Sequence, residues 1–343
     1  MSEVRLKDIA EKAGVSIMTV SNVINGKNNR VSAQTIHKIN ALIEECGYVP
    51  NLSARSLTNK VSNIIGIIIS PHDNDYMDVN HLENPYISTM IGTIEMELRR
   101  EGYFTMVRSI SRKEDMTKLF RNWNVDGVIF LYPDKEEYLQ PFIHSSKCPV
   151  AIFDSDLDIP GLIDVSSDDT QGLYLSTKYM INHGHTHIAF VADYRDNPLL
   201  TRRFEGYRTA LEESQIPFRP EYVYYYPPTY EGGLEAGKKI AASKNEISAA
   251  VTTADICAIG VMEGAKLGGY RIPVDLSIIG YDNLQLCQYT TPKLTSISQD
   301  IPRKALKCTR MLLEKIRTGH LSSPSRIVMD VDIVERQSVI SLF

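Results

Sequence analysis

Apolar residues recur at three- and four-residue spacing through the first fifty positions, and in short unbroken runs after about position 64. That change of period divides the chain. Leu6, Ile9 and Ala10 predict a first helix over Leu6–Ala13, and Gly14-Val15 supplies a tight turn out of it. Ser16 is a good N-cap and Gly26 a left-handed exit, so a second helix of about ten residues lies within Gly14–Gly26. Its inner face is Val20, Val23 and Ile24; its outer face carries Ile17, Met18, Ser21, Asn22 and Asn25, where a plain surface helix would carry Lys and Glu. A third helix runs from Ser32 as N-cap to about Cys46, with Ile36, Ile39, Leu42 and Ile43 inside and Gly47 as its stop. Three such helices close one small core in a helix-turn-helix pattern.

Pro50 opens a stretch through Lys60 that is helix-compatible but too short and polar to fold alone, which makes it a linker. From Ile64 the runs Ile64–Ile69, Gly127–Leu131, Val150–Phe153, Ile188–Val191, Ala249–Thr252 and Leu276–Gly280 read as buried parallel strands. Amphipathic segments alternate with them: Tyr86–Arg100, Asp169–Asn182, Arg202–Ser214, Gly232–Ala242 and Ile256–Leu267. The alternation predicts doubly wound α/β architecture, and about 280 residues fit two such units better than one.

Composition adds little to this picture, but charge sharpens it. With 43% hydrophobic and 23% charged residues the 343-residue chain reads as globular. The net charge is -5, yet residues 1–60 hold eight Lys/Arg against five Asp/Glu, so the small N-terminal piece is the basic one. Five scattered cysteines without a CxxC pair read as reduced thiols. No apolar run is long enough for a membrane span, and Glu3, Arg5, Lys7 and Asp8 do not resemble a secretion signal. A cytoplasmic protein without a membrane partner is expected.

Taken together, the motifs resemble one family. Leu6 to Ser16, Thr19-Val20-Ser21, Asn25, Val31-Ser32, Gly47 to Asn51 and Ala54 to Leu57 are similar to the head of LacI/GalR bacterial transcription regulators. Asn84-Pro85-Tyr86, Val125 to Gly127, Gly184-His185, Arg203 to Tyr207 and Ile279 to Asn283 follow in the family's order. The resemblance implies an all-α helix-turn-helix head (1–49), a hinge (50–62) and a periplasmic-binding-protein-like α/β body (63–343) of two doubly wound subdomains. The N-subdomain would hold about 63–160 and 293–324, and the C-subdomain about 161–292 and 325–343, with 326–339 completing a sheet begun much earlier. It implies a homodimer that binds palindromic, double-stranded operator DNA under control of a small, sugar-like effector, with no cofactor, no metal and no enzymatic activity.

Residue roles follow from the resemblance and from side-chain chemistry. Ile17, Met18 and Asn22 fall at the family's base-reading positions, while Ser16, Thr19, Ser21 and Asn25 suit phosphate oxygens. Asn pairs bidentately with adenine and apolar side chains pack on the thymine methyl, so an A·T-rich half-site is expected. Ala54, Arg55 and Leu57 match the hinge helix, with Leu57 as a minor-groove wedge. In the body, Arg203 falls at the family's ligand-binding arginine. Asp282 and Asp255 end strands where α/β folds place ligands, Asp168 precedes a helix, and Tyr86 and Tyr230 offer faces for a sugar. The alternative is that these acids cap helices and that Arg203 bridges to one of them.

Three other patterns do not carry chemistry. His183, His185 and His187 are spaced like a metal comb but flank a helix end, and Asp73 to Asp78 lacks the glycine of an EF-hand. Gly232 to Lys239 puts lysine where a P-loop needs Ser or Thr. Neither G-x-S-x-G nor an intact G-x-G-x-x-G occurs, which argues against an enzyme. Two relatives of the main reading stay open: a catabolite-type regulator with a phosphoprotein co-effector, and a purine- or nucleoside-responsive repressor.

Overall fold

The computed structural model describes residues 4–24, 26, 28–29, 31–48, 61–69, 80–110, 124–131, 136–155, 157–193, 198–243 and 246–343, the side chains of 136–138 excepted. Contacts divide the chain into two compact units, Met1–Ser62 and Asn63–Phe343. In the first, α1 (Leu6–Ala13), α2 (Ile17–Ile24) and α3 (Ala33–Cys46) enclose Ile9, Ala10, Ala13, Val20, Val23 and Ile39. The caps set the boundaries. Gly14 takes φ +71°, and Val15 N donates back to Ala10 O at 3.1 Å. Ser32 Oγ accepts from Thr35 N at 3.2 Å, and Gly47 (φ +58°) closes α3. Lys38 Nζ donates to Ala13 O at 2.8 Å, tying α3 to the end of α1.

The second unit holds two six-stranded sheets. In one, the order is β11 (Arg326–Met329), β5 (Ile163–Ser167), β4 (Val150–Phe153), β3 (Gly127–Leu131), β1 (Ile64–Ile69), β2 (Phe104–Ser109). Every pairing in it is parallel. In the other, the order is β12 (Asp332–Val334), β10 (Thr295–Ser298), β9 (Ser277–Asp282), β8 (Ala249–Thr252), β6 (Ile188–Ala192), β7 (Val223–Tyr225), with only β12 antiparallel among them. Helices α4 (Pro85–Arg100), α5 (Glu136–Ser145) and α10 (Ile301–Thr318) belong with the first sheet. Helices α6 (Asp169–Asn182), α7 (Pro198–Glu213), α8 (Tyr230–Ala241) and α9 (Asp255–Leu267) belong with the second.

The chain passes between the sheets three times, at 167–169, 298–301 and 329–332. Each joint lies a few residues beyond the expected position, near 160, 292 and 324. The reason is that β5 (Ile-Asp-Val-Ser-Ser) and β10 (Thr-Ser-Ile-Ser) carry polar side chains that periodicity does not read as buried strand. They are buried because neighbours satisfy them: Ser166 Oγ donates to Asp164 Oδ1 at 2.9 Å, and Ser296 Oγ to Asp255 Oδ1 at 2.6 Å. The segment 326–339 serves both sheets, through β11 and β12. On the second sheet α6 and α7 pack closely enough that a Cβ at Gly206 would overlap Thr170 O, and would stand 2.8 Å from Tyr174 N.

Burial on β5 has a measurable consequence. Asp164 is 2% exposed, and burial pushes its carboxyl up to about 6, with Ser166 and the more distant Arg326 opposing the rise. The folded value lies above the unfolded one, near 3.9, so the cost of carrying this charge is absent at low pH and grows as pH rises between the two values. Asp164→Asn is therefore expected to gain up to about 3 kcal/mol relative to the native chain between about pH 4 and pH 7. Urea unfolding at both pH values checks this; a difference that does not change with pH contradicts it.

Candidate functional site

The outer face of α2 presents the expected DNA-reading residues. Met18 is 70% and Ile17 48% exposed, an unusual display of apolar surface on a small domain. Ser16 Oγ accepts from Thr19 N at 3.1 Å and shares a hydrogen bond with Thr19 Oγ1 at 2.9 Å, so both hydroxyls are fixed at the helix N-terminus. That end also offers amide N–H groups to an anion such as phosphate. Ser21 and Asn22 are half-buried on the same helix. Asn25 and the hinge residues Ala54, Arg55 and Leu57 lie outside the described residues.

In the body the C-terminal ends of both sheets converge with the crossing segments, the region where open α/β folds take ligands. At its centre Arg203, on α7, is buried. Its Nε donates to Asp169 Oδ1 at 2.8 Å and its Nη1 to Thr253 O at 2.6 Å, and its guanidinium lies 3.8 Å above the Tyr281 ring centroid. Tyr281 in turn donates to Asp169 Oδ1 at 3.2 Å, and Arg202 Nη2 to Asp169 Oδ2 at 3.2 Å. Asp169 opens α6, where the helix dipole favours a carboxylate. Burial alone would lower the Arg203 pKa, but Asp169, Tyr281 and Asp282 outweigh it and raise it. Gly172, one turn into α6, leaves room for the tyrosine: a Cβ there would stand 2.6 Å from the Tyr281 ring.

Asp282 closes β9 with φ +117°, a conformation L-residues rarely adopt, and its Oδ1 accepts from Gln299 Nε2 at 2.6 Å. Burial and then Asp255 raise its carboxyl well above the usual range, against the pull of Arg203. Tyr86 begins α4 behind the Asn84 cap, and its hydroxyl donates to Asp154 Oδ2 at 3.4 Å. Tyr230 begins α8 behind the Thr229 cap and is half-buried.

Two expected ligand residues have structural partners, and of these Asp168 alone caps a helix. Asp255 is fully buried: its Oδ1 accepts from Ser296 Oγ at 2.6 Å and its Oδ2 from Leu284 N at 2.7 Å, so it clamps β10 and the loop after β9. The cause is Gly280, where any Cβ would overlap Asp255 Oδ1, so the carboxylate fills the space a side chain would take. Asp168 N-caps α6, its Oδ1 accepting from Gln171 N at 2.9 Å, and stays partly exposed.

Sequence reasoning missed Asp169, Asp154, Asp193, Thr253, Gln299 and Lys304. Asp193 follows β6 and is buried; Thr253 follows β8, and its buried Oγ1 has no hydrogen-bond partner among the described residues. The available signal was position after a strand, which was applied to Asp255 and Asp282 alone. The histidine comb does not assemble, since His185 is buried between Ser248 and Ile340 while His183 bonds Tyr179 O. Among the described residues no group of three His, Cys, Asp or Glu is placed to hold a metal, and no helix is long and apolar enough to cross a membrane.

A helix-turn-helix head joined to a two-sheet body with a buried arginine at the strand ends defines a ligand-responsive DNA-binding protein. Comparison with known proteins agrees. Residues 5–51 match the family described as bacterial regulatory proteins, lacI family, and residues 177–339 match the periplasmic binding protein-like domain. The HTH-type transcriptional repressor PurR of Vibrio atlanticus is 30% identical over 98% of this chain and 99% of its own. The lac repressor dimer bound to operator and the anti-inducer ONPF superposes with a TM-score of 0.84 at 25% identity, over 99% of this chain and 100% of the other. A LacI family regulator from Enterococcus faecium with bound ribose gives 0.71 at 25% identity, over 82% and 100%. The chain belongs to the LacI/GalR family, and it is a DNA-binding transcriptional repressor, not an enzyme.

The ion-pair centre makes a ranking testable by thermal unfolding. Tyr281→Phe keeps the ring under Arg203 and removes one hydrogen bond, at a cost of about 1 kcal/mol. Asp169→Asn leaves a buried guanidinium without its counter-charge and is expected to cost about 3–5 kcal/mol. Equal effects would mean that Asp169 does not hold Arg203 in solution.

Proposed function

We propose that this repressor controls a carbohydrate-utilisation operon, binding a palindromic operator as a homodimer in the cytoplasm and answering to a neutral, sugar-like effector. The observation that carries this reading is the charge pattern at the strand ends. Asp169 pairs with Arg203 and Arg202 alike and Asp154 with Lys304, so among the described residues both buried cations already face a carboxylate before any anionic ligand arrives. Around them stand acceptors and hydroxyls: Asp282, Asp193, Thr253 and Tyr86. That balance suits vicinal hydroxyls, which donate and accept, better than a phosphate. The remaining guanidinium donors of Arg203 would position the ligand, and Tyr86 and Tyr230 would cover its apolar faces.

The effector would act by population shift, favouring one disposition of the two subdomains; coupling of this kind is typically about 1–3 kcal/mol. A purine base is the second reading, favoured by the name of the Vibrio relative. In the head, Ile17, Met18 and Asn22 would read bases and Ser16, Thr19, Ser21 and Asn25 would meet phosphates, with Ala54, Arg55 and Leu57 in the minor groove.

Two assays on the purified full chain test the two ends of this proposal. Selection from random-sequence DNA is expected to return palindromes whose half-sites are A·T-rich under α2; half-sites dominated by G·C there refute the base-reading assignment. A thermal-shift panel of sugars, purine bases and sugar phosphates, each far above its dissociation constant, adds about 3 kcal/mol for a true ligand. A shift confined to neutral sugars supports the reading, a shift with a purine base replaces it with the purine one, and operator release by that sugar alone excludes a phosphoprotein co-effector.

A further inference from the structure

An unbroken run of hydrogen bonds joins the ends of the two sheets. It begins at Tyr86, whose hydroxyl donates to Asp154 Oδ2 at 3.4 Å. Lys304 Nζ, on α10, donates to both Asp154 oxygens at 2.5 and 2.6 Å, and to Gln299 Oε1 at 3.0 Å. Ser167 Oγ donates to the same Oε1 at 3.0 Å, and Ser167 N to Asp154 Oδ1 at 3.1 Å. Gln299 Nε2 completes the run by donating to Asp282 Oδ1 at 2.6 Å. Tyr86, Asp154 and Lys304 stand with the first sheet and Asp282 ends a strand of the second. Ser167 and Gln299 sit at two of the three joints between them.

Three features make this more than filler. Lys304 is 0% exposed, an ammonium that an apolar side chain of similar length could replace if packing were all that mattered. The Gln299 amide is oriented by Lys304: turned over, it would aim its NH2 group at the ammonium, which needs an acceptor. The backbone is also strained at this place, with φ +55° at Asp154, +117° at Asp282 and +44° at Asp300, which caps α10 directly after Gln299. Strain of this kind persists where the surroundings over-determine it, and it gathers at switch regions.

We propose that Gln299 and Lys304 are the positioning residues that carry a change at Asp282 to the first sheet, and so set how effector occupancy alters operator affinity. A donor arriving at Asp282 alters the acceptor that Gln299 holds; Gln299 then bears on Lys304, and Lys304 on Asp154 and Tyr86. The inference does not depend on which small molecule the site takes.

The test uses the full-length protein, an operator duplex recovered from a random-sequence pool, and fluorescence anisotropy at fixed salt. Asp282→Asn replaces the carboxyl with an amide at nearly constant shape, changes what Gln299 Nε2 meets, and stands in for a changed Asp282. In the otherwise native chain it is expected to shift operator Kd by roughly 5- to 150-fold, the usual span of allosteric coupling. In a Gln299→Met background, which leaves the Lys304–Asp154 pair whole, the same substitution is expected to shift Kd by less than about twofold, the limit of ordinary additivity. An Asp154→Leu/Lys304→Met background asks the same question with no unpaired charge, and the same loss of response is expected. Equal responses in native and altered backgrounds overturn the proposal, as does no response in the native chain. A merely structural role would lower the melting temperature of the background variants and leave their response to Asp282→Asn intact.

Discussion

The body of this repressor depends on one buried ion pair. Arg203 and Asp169 meet at 2.8 Å with side chains 8% and 0% exposed, and removing two such ions from water costs several kcal/mol each. The geometry offsets that cost through several contacts at once. One edge of the guanidinium meets the carboxylate, another donor meets the Thr253 carbonyl, and the Tyr281 face beneath adds a cation–π attraction of up to about 2 kcal/mol. These groups come from α6, α7, the end of β8 and the end of β9, so the pair fixes four elements of one subdomain around the proposed effector site. The arginine is held still before any ligand arrives, which reduces the ordering cost of binding.

Exchange of strands between the sheets turns this rigid centre into part of a switch. The chain passes between subdomains three times, and the joints lie beside the strand ends proposed to take the effector. Ser167 and Gln299, at two of those joints, bond to each other and to charged groups of both sheets. A small displacement at Asp282 therefore acts where the subdomains meet, with buried charges that tolerate only a few arrangements. The head needs no other machinery to fold: its helices are capped and packed by themselves, and α2 displays the side chains proposed to read bases.

Much of this was legible in the sequence, for physical reasons. The head helices announce themselves through caps and periodicity, and α3 begins and ends where Ser32 and Gly47 require. The strands made of unbroken apolar residues were equally plain, as β1 shows. The edge strands β2 and β7 escaped notice because they are only half-buried or exposed, and the remaining misses arise where polar residues become buried because distant partners satisfy them. Strands β5 and β10 look like loops until Asp164, Ser167 and Ser296 find their partners. Lys304 looks like the solvated face of α10, and its partner Asp154 lies 150 positions away. Asp255 was read by its place after a strand; its inward direction is set by Gly280, a residue with no signature of its own. Arg203 on α7 and Asp282 at the end of β9, by contrast, lie close enough to influence each other's charge.

The central claim is that a pre-positioned Arg203 is the ligand's anchor. Calorimetric titration of the native chain and of Arg203→Lys, with the sugar that gives the largest thermal shift, tests it most directly. Lysine keeps the charge and loses the planar fork, so affinity is expected to fall by about ten- to a hundredfold, in line with about 1.5–3 kcal/mol for a hydrogen bond to a charged group, while both proteins still unfold cooperatively. An unchanged affinity in a folded Arg203→Lys variant would contradict the account.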